Sequence, residues 1–116
     1  MTDIELLELA AKAAGYTKWE RLGGTALAVY RTDGTKFVWN PFADDGDALR
    51  LAVRLQLSVH NEHVSAGVAY CTGSDDRVFK GCGSGTDEAE VIESDYAATR
   101  RSIVLAAAEI GKDMVA

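Results

Sequence analysis

Leu27-Ala28-Val29-Tyr30-Arg31-Thr32-Asp33-Gly34-Thr35-Lys36-Phe37-Val38-Trp39 decides the fold. Asp33-Gly34 is a strong two-residue turn signal between β-rich flanks. Closed tightly on that dipeptide, the hairpin sets Tyr30 opposite Phe37, Ala28 opposite Trp39 and Val29 opposite Val38. Successive strand residues point to opposite faces, so Ala28, Tyr30, Phe37 and Trp39 share one face and Leu27, Val29 and Val38 the other. Both faces are then apolar. A sheet with one dry side reads apolar-in and polar-out, so this register predicts cover above and below.

Helical segments to supply that cover lie on either side. The first begins at Thr2 or Asp3 as N-cap and stops at Gly15, a good residue to follow a helix end. Glu5, Glu8 and Lys12 form one narrow polar stripe on it, and the remaining positions are apolar, as in a helix with more than one neighbour. Tyr16 to Gly24 reads as a connector carrying Trp19. Asn40-Pro41 ends the hairpin, since proline cannot donate to a continuing ladder. Asp44, Asp45 and Asp47 announce a second helix, ending near Leu57, with their charge at its partially positive N-terminus. Ala48, Leu51, Ala52 and Leu55 share its inner face, and Arg50 and Arg54 point away.

A second β segment spans Ser58 to Gly83, with the run Val64 to Tyr70, the strand Arg77 to Cys82 and a short further strand at Ser58-Val59-His60. Gly83 to Glu93 reads as a surface loop. The third helix starts at Ser94 or Asp95 and runs to about Met114, with Tyr96, Ile103, Ala107, Ile110 and Met114 within about 40° of one line. The expected fold is one α+β domain in the order α-β-β-α-β-β-α. Its mostly antiparallel sheet of four or five strands carries three helices over both faces, a three-layer α-β-α sandwich.

Composition bounds what such a domain does. The 116 residues carry a formal charge of −6, with 12 basic residues against 18 acidic ones. Direct binding to a phosphate backbone, which needs clustered Lys and Arg, is disfavoured. The acidic N-terminus lacks the cationic start of a secretory signal, and no apolar run approaches the ~20 residues that cross a bilayer. Cys71 and Cys82 fall in no metal or redox spacing. They read as free thiols of a reducing cytosol, with a disulfide between neighbouring strands as the alternative.

The block Trp39-Asn40-Pro41-Phe42-Ala43-Asp44-Asp45-Gly46-Asp47-Ala48-Leu49-Arg50-Leu51-Ala52-Val53 resembles one in small proteins of tailed bacteriophages and prophages, the phage ABA-sandwich domain family. Asp95-Tyr96-Ala97-Ala98-Thr99-Arg100-Arg101-Ser102-Ile103-Val104, with the Ala-rich stretch Ala106 to Gly111, resembles a second block of that family, and Ala13-Ala14-Gly15-Tyr16 also fits. The two main blocks cover about a quarter of the chain, and Ser58 to Glu93 adds nothing to the likeness. The resemblance implies helices flanking a central sheet and a place in the bacterial host cytoplasm. It supplies no activity and no catalytic residue.

Candidate sites each have a bland alternative. Asp44, Asp45 and Asp47 offer carboxylates to a divalent cation, but lack the twelve-residue spacing of an EF-hand, and helix capping accounts for them. His60, Glu62 and His63 do not have the i,i+4 histidines of a zincin helix, and a surface turn accounts for them. No nucleophile elbow or phosphate-binding glycine loop occurs. Arg100 lies close to the apolar stripe of the third helix, where an unpaired charge is costly, so it must find an acceptor. The Asp44-Asp45-Asp47 cluster is the expected partner, with an anionic ligand as the alternative. Trp19, Phe42 and Leu105 are candidate interface anchors if exposed. No catalytic residue, metal or cofactor is expected. The chain reads as a phage accessory protein that binds a host or phage protein, with self-association possible. The alternatives are an acidic mimic of nucleic acid and a small metal-dependent hydrolase with His60, Glu62 and an aspartate converging in a cleft.

Overall fold

The computed structural model of the chain describes residues 1–24, 26–62, 68–73, 77–80 and 93–114. The elements run α1 (Asp3–Ala13), β1 (Trp19–Arg21), β2 (Leu27–Tyr30), β3 (Lys36–Trp39), α2 (Asp45–Arg54), β4 (Ser58–Glu62), β5 (Val68–Thr72), β6 (Val78–Lys80) and α3 (Glu93–Asp113). The class is α+β, as expected. The single sheet is not found: the strands form two antiparallel sheets of three, β1-β2-β3 and β4-β5-β6. Two short strands account for much of the difference. β1 pairs with β2 from inside the presumed connector, and Ser58-Val59-His60 extends into β4, which pairs with β5.

The hairpin register also departs from expectation, by one residue. Leu27 faces Trp39, Ala28 faces Val38, Val29 faces Phe37 and Tyr30 faces Lys36. The cause lies in the turn. The Gly34 N–H donates to the Arg31 carbonyl at 3.0 Å, and the Arg31 N–H donates to the Thr35 carbonyl at 2.8 Å. Gly34, at φ +88°, takes the left-handed position after that turn. This is a three-residue loop with a glycine bulge, not a two-residue turn. Asp33 holds it shut by accepting from the Thr35 N–H at 2.9 Å and hydroxyl at 2.6 Å.

One residue of slip moves every side chain of a strand to the other face. Leu27, Val29, Phe37 and Trp39 therefore share the core face, while Val38, 65% exposed, joins Lys36 and Tyr30 on the outer one. The expected sheet with no wet side is wrong. Tyr30 is covered by side chains and not by a helix: Lys18 lies 4.5 Å from its ring centroid, and its hydroxyl donates to Glu20 at 2.7 Å.

Each sheet turns one face to the helices. Glu8 of α1 accepts from Trp19 and Arg21 on the core face of the first sheet, at 3.1 and 2.7 Å. Cys71 of β5 meets Ser102 of α3 at 3.3 Å on the second. The helices α1 and α3 run parallel, because Asp3 meets Arg101 at one end and Lys12 meets the Met114 carbonyl at the other. Ala10, Ala11, Ala106 and Ala107 are fully buried in the core these elements share. At Gly111 the backbones touch: a Cβ there would strike the Leu9 carbonyl oxygen and lie 2.8 Å from its carbon. With neighbours on two sides, α3 is buried around much of its girth, so the single stripe expected of it is too narrow. Arg100, Ser102, Val104 and Ala108 are buried as well, while Tyr96 and Met114 at the stripe's ends are exposed.

The helix ends follow local chemistry. Thr2 caps α1 in a capping box with Glu5, and Gly15 takes the left-handed position after it at φ +95°. After α2 the same position falls to Gln56 at φ +55°, with Leu57 donating back to the Ala52 carbonyl at 3.0 Å. Both endings are Schellman motifs.

Candidate functional site

The three aspartates at the start of α2 hold three separate posts. Asp44 is the N-cap, accepting from the Asp47 N–H at 2.8 Å. Asp47 is buried at 8% exposure, and its two oxygens are taken by the Asn40 N–H at 3.0 Å and by Arg50 at 2.7 Å. Asp45 reaches across to α3, where its carboxylate accepts from Arg100 Nη1 at 2.7 Å. Asp44 and Asp47 thus share Arg50, at 3.8 and 2.7 Å, while Asp45 turns away to Arg100. Among the described residues, no group of three or more His, Cys, Asp or Glu side chains is placed to hold a metal ion.

Arg100, 7% exposed, is matched on every side. Besides Asp45, its Nη2 donates to Glu93 at 2.7 Å and its Nε to the Phe42 carbonyl at 2.7 Å. Burial draws its pKa down, but the hydrogen bonds it donates to Glu93 and Asp45 outweigh it and the net shift is upward. A guanidinium so surrounded ties the 39–53 block to α3 across 55 residues of chain. Glu93 was not foreseen, having been placed in the acidic loop before the helix. Its position seven residues before Arg100, two turns along one helix face, is the signal that would have found it.

Two of the candidate anchors fold inward. Trp19 and Phe42 are both half-buried against the core. Trp19 donates to Glu8, and Phe42 lies under the Arg101 guanidinium, 5.5 Å from its ring centroid. Leu105 is half-buried and not an exposed anchor. His60 stacks on Tyr70 with ring centroids 4.4 Å apart. The Glu62 side chain and His63 lie outside the described residues.

Cys71 is a free, buried thiol, and Cys82 lies outside the described residues. The hydroxyl proton of Ser102 goes to the Thr99 carbonyl at 2.7 Å, which leaves the Cys71 S–H to donate to Ser102. Burial pushes that thiol's pKa up, with the Ser102 contact opposing. A protonated, buried thiol is a poor nucleophile.

One further region carries unmatched charge. Two adjoining hollows, of about 520 and 680 Å³, share Ala14, Tyr16, Arg31 and Arg54 as walls. Phe37, Val38 and Trp39 of β3 line the first, facing Asp47, Arg50 and Leu51 of α2. Tyr16 forms its aromatic floor, edge-on to Phe37 at 6.0 Å and to Trp39 at 5.7 Å between centroids. Arg31 lies over the Phe37 ring at 4.1 Å. Arg31 and Arg54 form no salt bridge among the described residues.

Compared with known protein families, with curated proteins and with solved structures, the chain matches none. Among the described residues no helix is long and apolar enough to cross a membrane.

Proposed function

We propose that this chain is a small phage-encoded accessory protein of the ABA-sandwich kind. It works in the host cytoplasm by binding a host or phage protein, without catalysis. The outer side of α2 carries the reading. Leu49 and Val53, one turn apart, are 63% and 68% exposed, beside the exposed pair Arg50 and Arg54. An apolar pair flanked by cations on one helix is the pattern that seats in a partner's groove.

The other readings have less behind them. An acidic mimic of nucleic acid needs a surface of free carboxylates, whereas Glu8, Asp45, Asp47, Glu93 and Glu109 pair with arginines of this chain. A metal-dependent hydrolase needs His60 turned toward carboxylates in a cleft, and its ring is stacked on Tyr70.

The test is capture by the tagged full chain from infected or lysogenic cells, beside the variant Leu49→Asp/Val53→Asp. A protein retained by the wild type and lost with a variant of unchanged melting temperature is the expected result. Equal retention by both, or none by either, overturns the reading.

A further inference from the structure

The hollow between β3 and α2 lies along the free edge of a sheet. β3 ends the order β1-β2-β3, with β2 on one side and, among the described residues, no strand on the other. The bond between the Arg31 N–H and the Thr35 carbonyl sets the alternation of the hairpin. Val29 with Phe37 and Leu27 with Trp39 are then the hydrogen-bonded pairs, while Lys36 and Val38 direct their own N–H and C=O away from β2. Phe37, Val38 and Trp39 all line the hollow, although Val38 points to the opposite face from the other two. A cavity walled by consecutive strand residues of both faces sits at the strand's edge. Unpaired edges are templates for an added strand.

The charge of this groove is opposite to that of the chain. Arg31, Arg50 and Arg54 line it; Arg50 is paired with Asp47 at 2.7 Å and Asp44 at 3.8 Å, whereas Arg31 and Arg54 form no salt bridge among the described residues. The adjoining hollow adds Lys18 and, among the described residues, no carboxylate. Arg50 and Arg54 stand one helical turn apart, about 6 Å, close to the ~6.6 Å between alternate residues of an extended chain. Tyr16, Phe37 and Trp39 lie on the same face as these arginines, so the intervening side chains of an added strand turn to the outer face beside Val38.

We infer that this groove takes an extended acidic segment of a protein partner, which adds to β3 as a fourth strand of the first sheet. Its main chain pairs with Lys36 and Val38, and its alternate carboxylates meet Arg54, Arg50 and Arg31. The inference rests on the protein-binding role proposed above and names the chemistry of the partner. Main-chain pairing gives such a complex its register, and side chains on alternate residues give its selectivity.

The test titrates a blocked heptapeptide alternating glutamate and valine into the isotope-labelled full chain. Shifts centred on the Lys36 and Val38 amides are expected, with slower exchange of both. Each of Arg31→Ala and Arg54→Ala should weaken the complex about tenfold, the scale of one hydrogen-bonded charge pair. Raised salt should weaken it too. N-methylation of the peptide amides on the edge facing β3 should abolish binding, and methylation of the others should not. Equal binding of a lysine-for-glutamate peptide, shifts confined to other elements, or tolerance of both arginine variants overturns the inference. So does a dimer of the free chain with those two amides already protected, since a second copy then fills the edge. A cellular partner lost with Leu49→Asp/Val53→Asp but kept by Arg31→Ala/Arg54→Ala leaves the protein-binding role standing and removes the groove from it.

Discussion

Arg100 and Arg54 are the same side chain in opposite circumstances. The first is buried, with two carboxylates and a carbonyl around its guanidinium, and it joins α3 to the start of α2. The second stands on the exposed side of α2 with its guanidinium against Gly15, and it has no carboxylate partner among the described residues. A buried cation without acceptors is not tolerated, whereas an exposed one keeps its water. Internally matched charge therefore marks what holds this fold together, and unmatched charge in a groove marks what remains open to a partner.

The closed region is where substitutions have the largest effect. Gly111→Ala places a Cβ against the Leu9 carbonyl and forces two parallel helices apart. Thermal unfolding should show a loss of about 3 kcal/mol, a fall in melting temperature on the order of 10 °C. A neutral Gly111→Ala would mean that α1 and α3 do not touch there. Arg100→Met comes next. It removes three hydrogen bonds and leaves the Phe42 carbonyl without its donor, for a loss of about 1–3 kcal/mol in denaturant unfolding.

Smaller effects come from the helix ends and from pH. Gln56 occupies a left-handed position that glycine takes without strain, as Gly15 does after α1. Gln56→Gly should raise stability by about 0.5–1 kcal/mol, read as a higher denaturant midpoint at unchanged slope. The Arg21 hydrogen bond, aided by Trp19, holds the Glu8 carboxyl below its ordinary range against the opposing effect of burial. The unfolded chain then binds the proton at higher pH than the folded one does. This contribution is complete above about pH 4.3 and is lost as pH falls through the lowered folded value. Melting from pH 6 to pH 3 should fall less steeply in Glu8→Gln, with a difference of about 0.5 kcal/mol across a partly exposed pair.

Local signals read correctly from the sequence and long-range ones did not. Thr2, Gly15 and Asp44 mark their helix ends by chemistry acting within four residues, and each stands where expected. The Arg100–Asp45 contact was legible because a charge on a buried helix face narrows the choice of partner. The hairpin register was not. Asp33-Gly34 suits a two-residue turn as well as the last two residues of a three-residue loop, and only the Arg31–Thr35 pairing separates them. That one residue turned Val38 outward and opened a face expected to be covered. β1 was hidden because Trp19-Glu20-Arg21 has no apolar alternation of its own and becomes a strand by pairing with β2. The groove was hidden for the same reason, since Tyr16, Arg31 and Arg54 lie on separate segments that only the folded chain brings together.

The contrast between the two arginines is tested most directly by melting Arg100→Met and Arg54→Ala side by side with the parent chain. Arg100→Met should unfold several degrees lower, and Arg54→Ala should stay within about 0.5 kcal/mol of the parent. If Arg54→Ala loses as much as Arg100→Met, the groove arginine belongs to the scaffold. If Arg100→Met melts with the parent, the buried ion-pair node does not hold α3 to the start of α2.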